Sequence, residues 1–150
     1  MTGYPQPADE ATSIRMRANR RRDTGPEVAV RSLLHRAGLR FFVDRPLRLA
    51  DGLSVRPDIS FPRSRTAVFI DGCFWHVCPE HGTRPRRNQE YWAPKLQRNV
   101  ERDRRVDRAL ANAGWIVARY WEHQDPTTVA RAITRLVTER SALANAERSV

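Results

Sequence analysis

The stretch Thr66-Ala-Val-Phe-Ile-Asp-Gly-Cys-Phe-Trp-His-Val-Cys-Pro-Glu-His-Gly82 decides how the rest of the chain is interpreted. Its apolar run ends on Asp71, and Gly72 then releases the chain into a loop. That loop holds both cysteines of the chain, two of its four histidines and the adjacent aromatics Phe74 and Trp75. A buried strand followed by an acid, metal-ligating residue types and large aromatics predicts a functional site here.

Length and composition indicate one globular domain. The chain has 150 residues and is 40% hydrophobic, which is enough to bury a core of its own. We expect this domain over residues 15–140, between a flexible lead-in at 1–14 and a frayed tail at 141–150. No apolar stretch reaches the roughly 20 residues that span a bilayer, and residues 1–10 lack the apolar segment of a secretory signal. The expected location is cytoplasmic, in association with the nucleoid.

The charge predicts a nucleic-acid partner. The chain has 27 Lys+Arg against 17 Asp+Glu, and Lys95 is its only lysine. The planar guanidinium suits phosphate oxygens and guanine edges. The arginine bias of a high-GC genome explains arginine over lysine, but not the excess over acids. A basic arm is therefore expected to contact phosphates, with a solvated charge run as the alternative; it consists of Arg15, Arg17, Arg20, Arg21 and Arg22.

Periodicity and turn signals predict an α/β fold in the order α-β-β-β-α-β-α. The expected elements are helix 25–37, strands 39–43, 55–61 and 66–71, a helix from 88 or 91 to 113, strand 115–121 and a helix around 129–137. The four-residue link 62–65 predicts a hairpin, and Pro57 predicts an edge strand or a bulge. The crossover helix predicts a parallel last strand, so that helices flank a mixed sheet.

Two acids at predicted strand ends form the first candidate site. Asp58 follows Pro57, and a hairpin would bring it near Asp71, as a hard cation such as Mg²⁺ requires. Such a metal would polarise a phosphodiester and stabilise the leaving oxygen. Taken alone, Pro57-Asp58 is usually just a turn, and Asp71 is equally typical of a cap on the Asp-Gly turn. A capping box with Thr24 explains Glu27, and a metal role is its alternative.

The second candidate site is a structural zinc loop. Thiolate and imidazole are the ligands that zinc selects, and two of each close a tetrahedral site. The proposed ligands are Cys73, Cys78, His81 and His123. His76 is a rival ligand, and two buried free thiols with surface histidines are the alternative.

If zinc takes those ligands, His76 is free to act as a general base towards a water attacking phosphorus. Asp103 could pair with His76 and fix its tautomer; the alternative is a salt bridge to Arg102, Arg104 or the basic arm. Phe74 and Trp75 are adjacent, so in an extended loop both cannot face one core, and they are candidates to wedge between bases.

The helix at 88–113 contributes further candidates to the same site. Trp92 could join the aromatic pair against the DNA, although its place on the apolar stripe favours core burial. Asn99 and Asp103 interrupt that stripe at i and i+4, so both need partners or a function.

These motifs together resemble the very short patch repair (Vsr) endonucleases, a branch of the restriction-endonuclease-like fold. The similarity covers about residues 13–125 in the family's order. The matching segments are Met16-Arg-Ala-Asn19, Arg22-Asp-Thr24, Arg56-Pro-Asp58, Phe69 with Gly72-Cys-Phe-Trp-His76, Tyr91-Trp92, Asn99-Val-Glu-Arg-Asp-Arg-Arg105, Gly114-Trp115 and Trp121-Glu122.

The resemblance implies Mg²⁺-dependent nicking of one DNA strand 5′ to the thymine of a T·G mismatch, which arises when 5-methylcytosine deaminates. By position it makes Asp58 the metal-binding aspartate, His76 the catalytic histidine and Asp103 its supporting acid. It also places Glu27 near the metal site. The aromatics Phe74, Trp75 and Trp92 would lie beside the mismatch, and Cys73 would be the first zinc ligand.

The chain departs from the family pattern at two places. The typical member has Thr-His before Gly-Cys, whereas this chain has Ile70-Asp71. The typical zinc set is one histidine and three cysteines, whereas here two of each are available. We therefore expect a zinc-stabilised, Mg²⁺-dependent endonuclease. The two departures bear on which DNA site it recognises.

The expected partner is double-stranded DNA, with mismatch-repair factors as candidates, and the expected state is a monomer. The alternatives are a related nuclease for another lesion, modified site or foreign DNA, and a zinc-stabilised DNA-binding protein without catalysis.

Overall fold

The computed structural model describes residues 25–49, 52–72, 79 and 89–149. Within these ranges three helices flank a mixed sheet, which fits a restriction-endonuclease-like fold. The helices are α1 (Gly25–Arg36), α2 (Gln89–Asn112) and α3 (Pro126–Arg148). The strands are β1 (Phe42–Val43), β2 (Leu47–Arg48), β3 (Ser54–Val55), β4 (Ile59–Phe61), β5 (Thr66–Asp71) and β6 (Ile116–Trp121).

The main sheet has the strand order β1-β4-β5-β6. β4 and β5 form the predicted antiparallel hairpin, and β6 lies parallel to β5 in a register that pairs Asp71 with Trp121. Because α2 crosses over between β5 and β6, their parallel pairing follows the usual rule for such connections. The functional loop predicted from the sequence therefore leaves from an interior strand, beside the end of β6.

Two expectations about the strands are wrong: residues 55–61 do not form one continuous strand, and a further strand lies between residues 43 and 54. The run 55–61 is interrupted at Pro57, which gives up no ladder hydrogen bond because the chain bends there. β3 pairs instead with β2 in a separate two-stranded sheet, within the region expected to be a connection without strands. β4 is an interior strand because it pairs with both β1 and β5, and Asp58 lies in the bend between β3 and β4.

A glycine and a capping residue explain where α2 ends and where α3 begins, and α3 is longer than expected. Gly114 closes α2 at φ 85°, a left-handed conformation that glycine adopts without strain. Asp125 caps α3, since its carboxylate accepts a 3.0 Å hydrogen bond from the Thr128 amide and Pro126 follows it. α3 then continues through Arg148, so the frayed tail expected from residue 141 is helical instead.

Two apolar clusters lie on opposite faces of the main sheet. The α1/α3 face carries the larger one, which includes Leu34, Val68 and Ile133, each 0% exposed. The α2 face carries a smaller cluster around Ala67 and Leu110. Side chains alternate along a strand, so Asp71 shares the α2 face with Ala67 and Phe69.

Candidate active site

Asp58 occupies the bend before β4, where its side chain is fixed to the neighbouring strand. Its Oδ2 accepts a 2.6 Å hydrogen bond from the backbone amide of Ile70, one residue before β5 ends. Its own carbonyl accepts a 3.3 Å hydrogen bond from the Asp44 amide. The acid is thus held at the end of the sheet, as the hairpin prediction required.

The environment of Asp58 favours the protonated form of its carboxyl. Burial raises the pKa of Asp58 from 3.8 to about 7, against the opposing effect of the Ile70 hydrogen bond. The negative charges of Glu27, Asp71 and Asp44 raise this pKa further. A carboxylate surrounded by other acids in a partly buried position is a site that a cation would stabilise.

Asp71 ends β5 and is 7% exposed. Its carboxylate is engaged by one guanidinium nitrogen: Nη1 of Arg119 donates to Oδ1 at 3.0 Å and to Oδ2 at 3.1 Å. Its backbone carbonyl accepts a 2.9 Å hydrogen bond from the Glu122 amide, which prolongs the parallel pairing with β6. Both the side chain and the main chain of Asp71 are therefore fixed by the neighbouring strand and the turn after it.

Arg119 links Asp71 to helix α2. Its Nε and Nη2 donate to Asp107 Oδ1 at 2.9 and 2.7 Å, and Asp103 Oδ1 lies 3.8 Å from Nη1. The guanidinium also stacks 4.2 Å above the centre of the Phe69 ring. Burial lowers the pKa of Arg119, but the Asp107 hydrogen bonds and the charges of Asp71 and Asp103 outweigh it and raise the pKa above its ordinary value. The cation therefore stays charged.

Glu27 lies in the first turn of α1 and is 5% exposed. Its charge acts on Asp58, so the two carboxylates lie in the same electrostatic environment. The proposed capping partner Thr24 is outside the described residues. The structure thus places Glu27 and Asp71 close enough to Asp58 for their charges to act on it.

Helix α2 holds three more predicted site residues. Trp92 is half-buried and packs edge-on against Tyr91, with ring centroids 5.1 Å apart. Asn99 and Asp103 are also half-buried. The ion pair described for Asp103 is with Arg119 of β6, which differs from the arginines that sequence reasoning weighed.

The remaining predicted residues lie mostly outside the described ranges. These are Arg15, Arg17, Arg20, Arg21, Arg22, Cys73, Phe74, Trp75, His76, Cys78 and His81. His123, the fourth proposed zinc ligand, lies exposed in the turn after β6. Within the described ranges, no three His, Cys, Asp or Glu side chains form a group that could hold a metal ion.

The comparisons with known proteins agree on one family. The sequence model for DNA mismatch endonuclease Vsr matches residues 8–80. The chain is 54% identical over 130 residues to the type II nicking enzyme V.NaeI of Lentzea aerocolonigenes, covering 87% of this chain and 78% of that protein. It is 40% identical over 117 residues to the DNA mismatch endonuclease Vsr of Escherichia coli, covering 76% and 71%. The chain belongs to the Vsr family.

A Vsr-family chain is a DNA endonuclease, so membership confirms the expected class of enzyme and DNA as its partner. The relatives include both a mismatch endonuclease and nicking enzymes, among them V.XorIIP of Xanthomonas oryzae, 44% identical over 71% of this chain and 76% of that protein. Family membership therefore leaves the target within DNA open. No helix in the described part of this Vsr-family chain is long and apolar enough to cross a membrane.

Sequence reasoning missed Arg119 and Asp107, which organise the α2 side of this Vsr-family site. The available signal was a charged residue inside the otherwise apolar strand Trp115-Ile-Val-Ala-Arg-Tyr-Trp121. A charge in a strand interior needs a partner, and Asp71 is the acid at the end of the parallel neighbour.

Proposed function

We propose that this endonuclease nicks one DNA strand 5′ to the thymine of a T·G mismatch in a Mg²⁺-dependent reaction. The observation that carries the proposal is the position of Asp58 directly before β4, where the charges of other acids act on it. Asp58 is pinned to the Ile70 amide, and the charges of Glu27 and Asp71 act on it. The similarity to the DNA mismatch endonuclease of Escherichia coli supports a mismatch as the target, and the T·G pair is what the family resemblance implies.

In this proposal Asp58 and Asp71 hold the metal through carboxylate oxygens. Mg²⁺ commonly takes one or two protein carboxylates and completes its shell with water and substrate phosphate, which suits a pair of acids. When bound, the ion supplies positive charge to the phosphodiester and to the leaving oxygen. Glu27 adds negative charge next to Asp58 without being required as a ligand.

His76 follows Gly72 by four residues and acts as the general base in the proposal. Its neutral imidazole takes the proton of the water that attacks phosphorus, and Asp103 holds that imidazole in the required tautomer. Asp103 already belongs to the acids around Arg119. Phe74 and Trp75, assisted by Trp92, open the duplex beside the mismatch, while the basic arm at residues 15–22 contacts the backbone.

A nicking assay tests this reaction. The substrates are T·G, T·A and C·G duplexes with one labelled strand, incubated with Mg²⁺ or with EDTA and resolved on a denaturing gel. We expect a single cut 5′ to the mismatched thymine that requires Mg²⁺ and is lost in Asp58→Asn and His76→Ala. Glu139→Gln, a change at an exposed acid on α3, is the matched control and retains full activity.

Three outcomes would contradict parts of the proposal. Equal cutting of T·A and T·G duplexes would remove the mismatch specificity. Cutting in EDTA would remove the metal from the reaction. Full activity in Asp58→Asn would remove that acid from the site.

The loop that follows β5 is proposed to be fastened by zinc through Cys73, Cys78, His81 and His123. Two thiolates and two imidazoles are a suitable ligand set for a closed structural site. We expect about one zinc per chain by elemental analysis, and its loss in Cys73→Ser with a fall in thermal stability. Folded wild-type protein without zinc would contradict the site.

A second candidate is nicking at another modified or mismatched site. Two observations favour weighing it: Asp71 stands where the typical family member has a histidine, and the relative with 54% identity is named a type II nicking enzyme. Replacing the T·G pair by other mismatches in the same assay distinguishes the two candidates.

A further inference from the structure

Arg119 lies within ion-pairing distance of Asp71, with Nη1 3.0 Å from Oδ1. Its side chain is 20% exposed, and that of Asp71 is 9% exposed. The contact is made by Nη1 to both carboxylate oxygens, at 3.0 and 3.1 Å. Contact with both oxygens restricts rotation of the carboxylate about the Cβ–Cγ bond of Asp71, in addition to pairing its charge.

The guanidinium is itself held from several sides. Nε and Nη2 form one edge of the planar group, and both donate to Asp107 on α2. Phe69 supports one face of the group at 4.2 Å. Because Nη1 donates to Asp71, the guanidinium bridges Asp71 on β5 and Asp107 on α2.

The charge balance around Arg119 also bears on its role. Three carboxylates, those of Asp71, Asp103 and Asp107, lie within 3.8 Å of one cation. One guanidinium thus orders three carboxylates, whose combined charge it does not balance by itself. Hydrogen bonds from a neighbouring group to a ligating carboxylate typically raise metal affinity or activity by about 10–100-fold.

We propose that Arg119 is a positioning residue that orients the Asp71 carboxylate for the catalytic cation and anchors it to α2 through Asp107. The inference rests on the proposed function, since it gives Arg119 a role in the same site. The arrangement also explains how an acid is accommodated at position 71. Because Asp71 is buried, its charge needs a partner, and Arg119 of β6 supplies one.

The experiment compares Arg119→Met, Arg119→Lys, Asp71→Asn and the double variant Asp71→Asn/Arg119→Met. Arg135→Met removes an exposed arginine that pairs with Glu139 at 3.1 Å on α3, and is the matched control. The first readout is Mg²⁺ binding to the DNA-free protein by calorimetry, which needs no activity. The second is the nicking rate on a T·G duplex at a series of Mg²⁺ concentrations, and the third is unfolding by denaturant.

We expect Arg119→Met to weaken Mg²⁺ binding about 10-fold and to lower kcat by about 10–100-fold. Lysine keeps the charge but lacks the planar fork, so Arg119→Lys retains the fold and falls between wild type and Arg119→Met. In the Asp71→Asn background the additional loss from Arg119→Met is much smaller, because the two residues act as a unit. Arg135→Met changes none of the three readouts appreciably.

Two results would overturn the inference. If the Arg119 variants lose stability but bind Mg²⁺ and nick as wild type does, the residue is only a structural link. If Arg119→Met binds Mg²⁺ more tightly, Arg119 competes with the cation and does not position its ligand. A chain that shows the expected Mg²⁺ binding but cuts no T·G duplex contradicts the mismatch assignment alone and leaves the positioning role intact.

Discussion

The two faces of the main sheet are built on different principles. On the α1/α3 face the cluster of buried residues is apolar, and Leu34 and Ile133 are completely buried. On the α2 face a smaller apolar cluster adjoins a guanidinium with three carboxylates around it. Apolar burial stabilises the fold in proportion to area, whereas buried ion pairs gain little net stability after desolvation. The difference indicates that one face stabilises the sheet while the other is specialised for the site.

The largest expected effect is a loss of stability without a loss of activity, caused by a cavity on the α1/α3 face. Ile133→Ala removes a completely buried side chain from α3 and should lower the free energy of unfolding by about 2–5 kcal/mol. The nicking rate per folded molecule should be unchanged, because the cavity lies on the face away from Arg119. Denaturant unfolding and a nicking assay at low temperature measure the two quantities.

Leu110→Ala is the matched change on the α2 face, since Leu110 is equally buried. It should cost a similar amount of stability and also lower the nicking rate, because it loosens the helix that carries Asp103 and Asp107. Equal losses of activity in both variants would mean that the faces are not separable.

The next effect concerns pH and Asp58. Burial raises the pKa of Asp58 in the folded protein to about 7, while the unfolded chain has its ordinary value of 3.8. Between these values the folded state holds a proton that the unfolded state has lost, so the stability of the metal-free protein should fall as pH rises from about 4 to 7. A difference of about three pKa units corresponds to about 4 kcal/mol.

Asp58→Asn cannot ionise, so it should be more stable than wild type at pH 8 in EDTA and equal to it near pH 4. Denaturant unfolding at both pH values measures the difference, and Glu139→Gln at an exposed position is the control. Adding Mg²⁺ at pH 8 should stabilise wild type and not the variant. If the variant were less stable than wild type at pH 8, the buried, ionised Asp58 side chain would not lower the stability of the fold.

Local patterns predicted the elements that hold the site. The apolar run of β5, the short link to β4 and the helical stripe of α2 are strong signals over neighbouring residues, and each gave the right element. The break at Pro57 was visible, but its consequence was not, because pairing of β3 with β2 depends on the approach of Leu49 to Leu53, whose backbones are joined by a 2.9 Å hydrogen bond.

The partners of charged residues were the least predictable part. Asp58 and Asp71 lie at one end of the predicted hairpin, since Asp58 comes directly before β4 and Asp71 is the last residue of β5. The pairing of Asp71 with Arg119 joins positions 48 residues apart and depends on the parallel register of β5 and β6. Composition and periodicity contain no information about that register.

The parallel pairing of β5 with β6 also has a consequence for how the protein folds. The β4–β5 hairpin closes a short loop, but β6 can join only after the whole crossover through α2 has been brought back, which makes this pairing the entropically expensive step. Arg119 reaches Asp71 only when that step is complete. A chain still emerging from the ribosome, with β6 not yet docked, therefore lacks this contact, so the proposed metal site can be completed only after β6 has joined the sheet.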